Sequence, residues 1–200
     1  MPVTEPGSPP GEAPWLSPGA IEQATWLQHS HQRAFGRPLI AATTTSSSSW
    51  LCSPGCPEPS KGAARQRAQE LFAASTVVLA HDGNAERLDH DPRLIYANRA
   101  ALVLWHRPWA EMVGMPSRLT AEPAERSGRA RLLASARAQE AISGYTGIRI
   151  DSHGRRFVIS GARLWTLRDL QGRDRGQAAA FSNWWWLPEA PLPVLPPALV

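Results

Sequence analysis

The sequence predicts an α+β protein whose most regular part is a C-terminal antiparallel meander. Three observations lead there. Between Gly144 and Trp184, three β-type segments are separated by the turn signals Ser152-His153-Gly154 and Asp169-Leu170-Gln171-Gly172. Two short apolar segments rich in β-branched or aromatic residues, 76–80 and 94–98, lie upstream. Apolar residues at helical spacing mark the stretches before and between these strands.

Taken in order, residues 1–16 form a Pro-rich leader that cannot build a packed interior. Ser17-Pro18 reads as an N-cap with proline at the first helical position. Ile21, Ala24, Gln28, His31 and Phe35 then recur at helical spacing until Gly36 and Pro38 stop the helix. His29 and His31, two positions apart on it, point in different directions and make poor partners for one metal. The N-terminal helical region is therefore 17–42. Residues 43–62 are a low-complexity insertion rich in Ser, Thr, Pro and Gly.

The core, 63–184, opens with a second helix capped by Ser60, with Ala64, Ala68, Leu71 and Phe72 on one face. Strand 76–80 ends at the turn residues His81-Asp82-Gly83-Asn84, and strand 94–98 runs straight into helix 99–105. Pro108 starts a short helical piece that Gly114-Met115-Pro116 breaks. A longer helix is expected from Thr120, with Glu122 and Glu125 in its first turn, Leu132, Leu133, Ala136 and Ile142 on its apolar face, and Gly144 closing it. In the meander, Ile148 and Ile150 alternate with Arg149 and Asp151. Phe157, Ile159, Trp165 and Leu167 share one parity, and Gly161 marks a bulge or a close contact. Residues 185–200 form a Trp/Pro-rich tail whose adjacent tryptophans, from Trp184 on, suit the cover of a sheet edge or of the first helix, or else a patch for a partner or membrane surface.

Composition bounds the function classes. The formal charge is +4, and all but one of the 21 basic residues is arginine. These arginines are scattered among Asp and Glu, so no nucleic-acid face is expected. Cys52 and Cys56 are separated by three residues in the insertion, and no second Cys/His pair of suitable spacing stands out, which argues against a structural zinc site. No secretory signal and no run of 18 apolar residues occur, so a cytoplasmic protein without a membrane span is expected. Nucleophile-elbow, zincin, phosphate-loop and dinucleotide motifs are absent.

The runs Tyr96-Ala97-Asn98-Arg99-Ala100-Ala101-Leu102 and Met115-Pro116-Ser117-Arg118-Leu119-Thr120-Ala121-Glu122-Pro123 resemble the MEKHLA domain. So do Arg131-Leu132-Leu133-Ala134, Gly147-Ile148-Arg149-Ile150, Gly154-Arg155-Arg156-Phe157 and Gly176-Gln177-Ala178-Ala179-Ala180-Phe181-Ser182. The resemblance covers about residues 20–184, with the 43–62 insertion and the tail as additions. It implies a PAS-like fold: a five-stranded antiparallel sheet with short helices packed on one face, plus the N-terminal helix. It also implies a sensing, ligand-binding or dimerising module of the stand-alone bacterial type. The family's plant members carry a homeodomain and leucine zipper, which this chain lacks, so DNA reading is not inherited.

A PAS-like pocket lies between sheet and helices, which makes Phe157 and Trp165 candidates for one wall. Gln177 can hydrogen-bond a planar ligand, while Tyr96, Asn98 and Arg118 add polar contacts, Arg118 with the fork geometry that suits a carboxylate. Core filling by Phe157 and Trp165, and capping by Asn98, compete with these roles. The core contains no cysteine, which argues against flavin–cysteinyl photochemistry, and the 120–142 stretch has no histidine for an axial haem ligand. No catalytic residue and no metal ligand is assigned. The expected function is a PAS-like sensory or interaction module that binds a small apolar or aromatic ligand and signals in trans to a partner. The alternative is a constitutive homodimer with a filled core, using helix 20–35 or the outer sheet face. A small-molecule enzyme using Arg118 and Tyr96 has the least support.

Overall fold

The computed structural model describes residues 13–41, 60–83, 91–125 and 139–188. The expectations for residues 43–59, for Cys52 and Cys56, for Leu132, Leu133 and Ala136, and for the tail beyond 188 lie outside these residues.

A 3-10 turn, Pro14–Leu16, leads into helix α1, Pro18–Phe35. Ser17 caps α1 by accepting the Ala20 N–H, Pro18 fills the first position, and Gly36 ends the helix in the left-handed conformation with φ 67°. Ala20, Ala24, Leu27 and His31 repeat every three or four residues and form its buried stripe. Helix α2, Lys61–Ala73, is capped by Ser60 and buries Ala68, Leu71 and Phe72. Strands β1, Val77–His81, and β2, Leu94–Ala97, follow. The short helices α3, Arg99–Trp105, and α4, Trp109–Met112, come next.

Two 3-10 turns, Ser117–Thr120 and Pro123–Glu125, stand where the longer helix was expected to begin. Its expected end is strand instead: Ile142 and Gly144 belong to β3, Ala141–Ile150. Ile142 pairs with Leu164, and Gly144, at φ 82°, sits where the register shifts between Ile142 and Tyr145. A local helical reading of Ile142 is overridden by cross-strand pairing. Glu122 is likewise drawn into an ion pair with Arg156, 2.6 Å.

Strand β4, Arg156–Arg168, pairs with β5, Asp174–Phe181, and then with β6, Asn183–Trp186. Sheet order is β2-β1-β5-β4-β3, all neighbours antiparallel, with β6 extending along β4. The register runs unbroken from Leu167↔Gly176 through Arg163↔Ala180 to Phe157↔Trp186. Thus β5 and β6 are one long strand interrupted at Ser182, which falls opposite Gly161. The three tryptophans continue the sheet.

The interruption reverses which side chains face which way. Phe157 and Ile159 join Ala162 in one apolar core, whereas Trp165 and Leu167 belong to the other. The shared parity of Phe157 and Trp165 therefore does not survive the bulge at Gly161, whose φ is 68°. The two cores lie on opposite faces of the sheet. Val77, Leu79, Phe157, Ile159 and Phe181 pack with α3 and α4 on the inner face. Val78, Ala80, Tyr96, Trp165 and Leu167 pack with α1 and α2 on the outer face. The sheet is thus covered on both sides, and the outer face proposed for dimerisation carries α1. Among the described residues, Trp105, Trp165, Tyr96 and Phe157 are the largest fully buried side chains. Truncating a buried Phe or Trp to Ala costs about 3–5 kcal/mol.

Candidate functional site: a cavity on the inner face

The inner face encloses a cavity of about 50 Å³. This exceeds the roughly 10–15 Å³ that a single water needs, so a guest larger than one water fits. Leu79, Leu94, Ile159 and Phe181 give it apolar walls, and Trp105 of α3 closes one side. Strand alternation then places four polar side chains in the lining: His81 from β1, Gln177 from β5, and Tyr145 and Arg149 from β3. Thr120 also reaches the lining, with its hydroxyl donating to the Ser117 carbonyl at 2.7 Å.

Two of these groups form a pair. Arg149 Nη2 donates to the Tyr145 hydroxyl at 2.7 Å, and Nη1 donates to the Ile148 carbonyl at 2.7 Å. The guanidinium also lies 5.2 Å from the Tyr145 ring centre. Gly147 makes this possible: a Cβ there would stand 2.2 Å from the Tyr145 hydroxyl oxygen and 3.2 Å from Arg149 Nη1. On β1, His81 Nδ1 accepts the Gly83 N–H at 3.2 Å, so the neutral ring carries its proton on Nε2. The Trp105 indole N–H is buried with no acceptor among the described residues.

Of the six side chains picked from sequence, Gln177 lines this cavity. Phe157 is fully buried in the same inner core, 5.1 Å from Trp105 between ring centres, but is not in the lining. Tyr96 and Trp165 are buried on the opposite face. Burial without a hydrogen-bond partner pushes the Tyr96 phenol well above its ordinary pKa. Trp165 donates its indole N–H to Ser30 of α1 at 2.9 Å and meets the His31 ring edge-on. Asn98 is a structural hub. Its carbonyl oxygen accepts N–H groups of Val78 and Ala101, and its amide donates to the carbonyls of Leu71, Ala74 and Thr76. Arg118 is exposed and pairs with Asp91. The structure does not bring Arg118 and Tyr96 together with Gln177.

Sequence reading passed over Tyr145, Arg149, His81 and Trp105. The available signal was Tyr145-x-Gly147-x-Arg149, three alternate positions on one strand face. Counting Ile148 and Ile150 as the apolar positions hid it, because Arg149 is only 6 % exposed whereas both isoleucines are half-buried.

A second polar cluster lies at the β3–β4 turn. Atoms of His106, Asp151 and His153 approach within 4.8 Å of one another, a spacing a metal ion can use. Arg155 already balances that carboxylate: its Nε donates to Asp151 at 2.9 Å and its Nη2 lies 2.9 Å from His106 Nε2. The same guanidinium stacks 4.4 Å above the Trp186 ring.

Among the described residues, no helix is long and apolar enough to cross a membrane. Among solved structures, the chain is similar to a PAS domain from Colwellia psychrerythraea, at 15% identity and TM-score 0.49, over 58% of this chain and 92% of that one. It is similar to an RNA-binding light-oxygen-voltage receptor at 21% identity and TM-score 0.48, over 68% of this chain and 35% of the other. A light-oxygen-voltage protein of Rhodobacter sphaeroides is similar at 10% identity and TM-score 0.46, over 60% and 65% of the two chains. No curated protein matches the chain. The fold is PAS-like, an open antiparallel sheet with helices. The MEKHLA domain matches residues 21–186, from the first turns of α1 to the last residue of β6, and the chain belongs to that family.

Proposed function

We propose that this chain is a small cytoplasmic sensory module that binds a small ligand with an apolar or aromatic body in the inner-face cavity, and signals in trans to a partner protein. The observation that carries this reading is the cavity itself, apolar-walled but lined by Arg149, Tyr145, His81 and Gln177. Binding sites for small molecules have that composition: mostly apolar surface with a few placed polar groups. Ligand binding there tightens the contact between the β3–β4–β5 meander and α3, through Trp105. Helix α3 presents Val103 to solvent, 64% exposed, beside the exposed Trp184 and Trp186. That surface is where a partner reads the change.

Native mass spectrometry of freshly purified protein, set against the same sample denatured, tests the reading. A reproducible mass excess lost on denaturation is expected. A bare monomer or dimer, together with no thermal stabilisation across a metabolite panel, sinks it. The constitutive interaction module then takes its place, the reading favoured by the exposed Trp184, Trp185 and Trp186.

A further inference from the structure

Among the described residues, three side chains of charged type are buried: Arg149, Asp151 and Asp169. Both aspartates are matched by arginines, Asp151 by Arg155 and Asp169 by Arg173 and Arg175. Arg149 is the exception. Among the described residues no carboxylate pairs with it, and its bonds go to one phenol and one backbone carbonyl. A guanidinium has five N–H donors, so this leaves donors to spare. A charge taken out of water is costly unless something pairs with it.

Its neighbours in the cavity favour an acceptor-bearing guest. The Tyr145 oxygen accepts from Arg149, which leaves the phenol's own proton to donate elsewhere. The indole N–H of Trp105 has no acceptor among the described residues.

We propose that the cavity selects a small carboxylate, whose oxygens meet the Arg149 guanidinium while its apolar body packs between Ile159, Phe181 and Trp105. The planar fork of arginine matches a carboxylate in two parallel hydrogen bonds. Gly147 is the specificity-permitting residue, because any side chain there drives the Tyr145–Arg149 pair apart. The inference rests on the cavity being a ligand site and adds the chemical class of the ligand.

The test is calorimetric titration of the full chain with acetate, butyrate and benzoate, each against its neutral amide. The acids are expected to bind about tenfold or more tighter than the amides. Arg149→Met removes that preference, and Tyr145→Phe weakens it. The second variant keeps the test alive if the first does not fold. Amides binding as tightly as acids, with both variants unchanged, overturns carboxylate selection and leaves the cavity a ligand site. Binding of neither class, with no retained mass in the native spectrum, overturns both. Neither class binding while a retained neutral molecule is identified overturns the carboxylate alone.

Discussion

Asp151 and Asp169, eighteen positions apart, hold the two meander turns with the same bonds. One oxygen of Asp151 accepts the N–H groups of His153 and Arg155, and the other accepts Arg155 Nε. Asp169 repeats this with Gln171, Arg173 and Arg173 Nε, and adds Arg175 Nε. Both turns read Asp-x-x-Gly-Arg, with Gly154 and Gly172 at φ 78° and 80°. Burial alone would raise these carboxyls; the donors of the turn outweigh it and hold both below the ordinary range, Asp169 at about 2.

That depression sets an acid limb. A carboxylate with a folded pKa below its unfolded one stabilises the fold above about pH 4, and loses that contribution as pH falls through about 2. Urea unfolding of the wild type is expected to weaken steadily across that window. Asp169→Asn lowers stability at neutral pH and flattens the limb, so the two proteins converge near pH 2. Parallel curves for variant and wild type across the window would remove Asp169 as the cause.

A second pH effect lies on the other face of the sheet. His31 is buried between Phe35 and Trp165, with Nδ1 against the Arg37 carbonyl at 3.0 Å and Nε2 accepting from Arg163 at 2.6 Å. Burial, then the Arg163 charge, lower its pKa to about 4. The unfolded chain therefore binds the extra proton between about pH 6.5 and 4, and stability falls as pH drops through that range. The loss is on the order of 1 kcal/mol per pH unit at most, reduced by solvent at Arg163. Unfolding of His31→Gln followed over pH 7 to 4 should show a flatter slope; an unchanged slope assigns the effect elsewhere.

Asn98 ties together the end of α2, strand β1 and the start of α3 from a fully buried position. Replacement by alanine removes the Asn98 partner of two N–H groups and of the Ala74 and Thr76 carbonyls at once, while the Leu71 carbonyl keeps the Ala74 N–H. The expected loss is about 2–4 kcal/mol, from cap removal plus unsatisfied buried groups. Asn98→Asp keeps the acceptor and loses the amide donors, so it separates the two halves of the hub. Chemical denaturation measures both, and a loss under about 0.5 kcal/mol for alanine contradicts the hub.

How far the sequence reached follows from where local rules decide the outcome. Ser17, Ser60 and Asn98 cap their helices as their side chains demand, and Gly36 stops α1. The two Gly-bearing turns bound the meander where expected. Long-range pairing decided the rest. Nothing local to Trp184-Trp185-Trp186 says that it continues β5 along β4. Nothing local to Gly161 says that its bulge sends Phe157 and Trp165 to opposite faces. The cavity suffered most, because alternation on β3 was read from its isoleucines while the buried position belongs to Arg149. An arginine between two isoleucines reads as the solvent side unless the partner strand is known.

Gly83 and Gly176 cross backbone to backbone at the rim of the cavity. A Cβ on Gly176 would lie 1.9 Å from the His81 carbonyl oxygen, and one on Gly83 would lie 2.4 Å from Gly176 Cα. Both glycines have positive φ, 59° and 127°. Gly176→Ala thus meets a backbone clash as well as conformational strain, with no flexible side chain to yield. Gly172→Ala is the matched control: its φ of 80° is strained, but nothing lies within 4 Å of the added Cβ. The control is expected to lose about 1–2 kcal/mol and Gly176→Ala on the order of 3 kcal/mol or more. Because His81 and Gln177 flank the crossing and both line the cavity, Gly176→Ala should also weaken ligand retention in any molecules that still fold. Equal losses in the two variants would mean that strain alone matters there, and that the close approach of β1 and β5 does not shape the cavity.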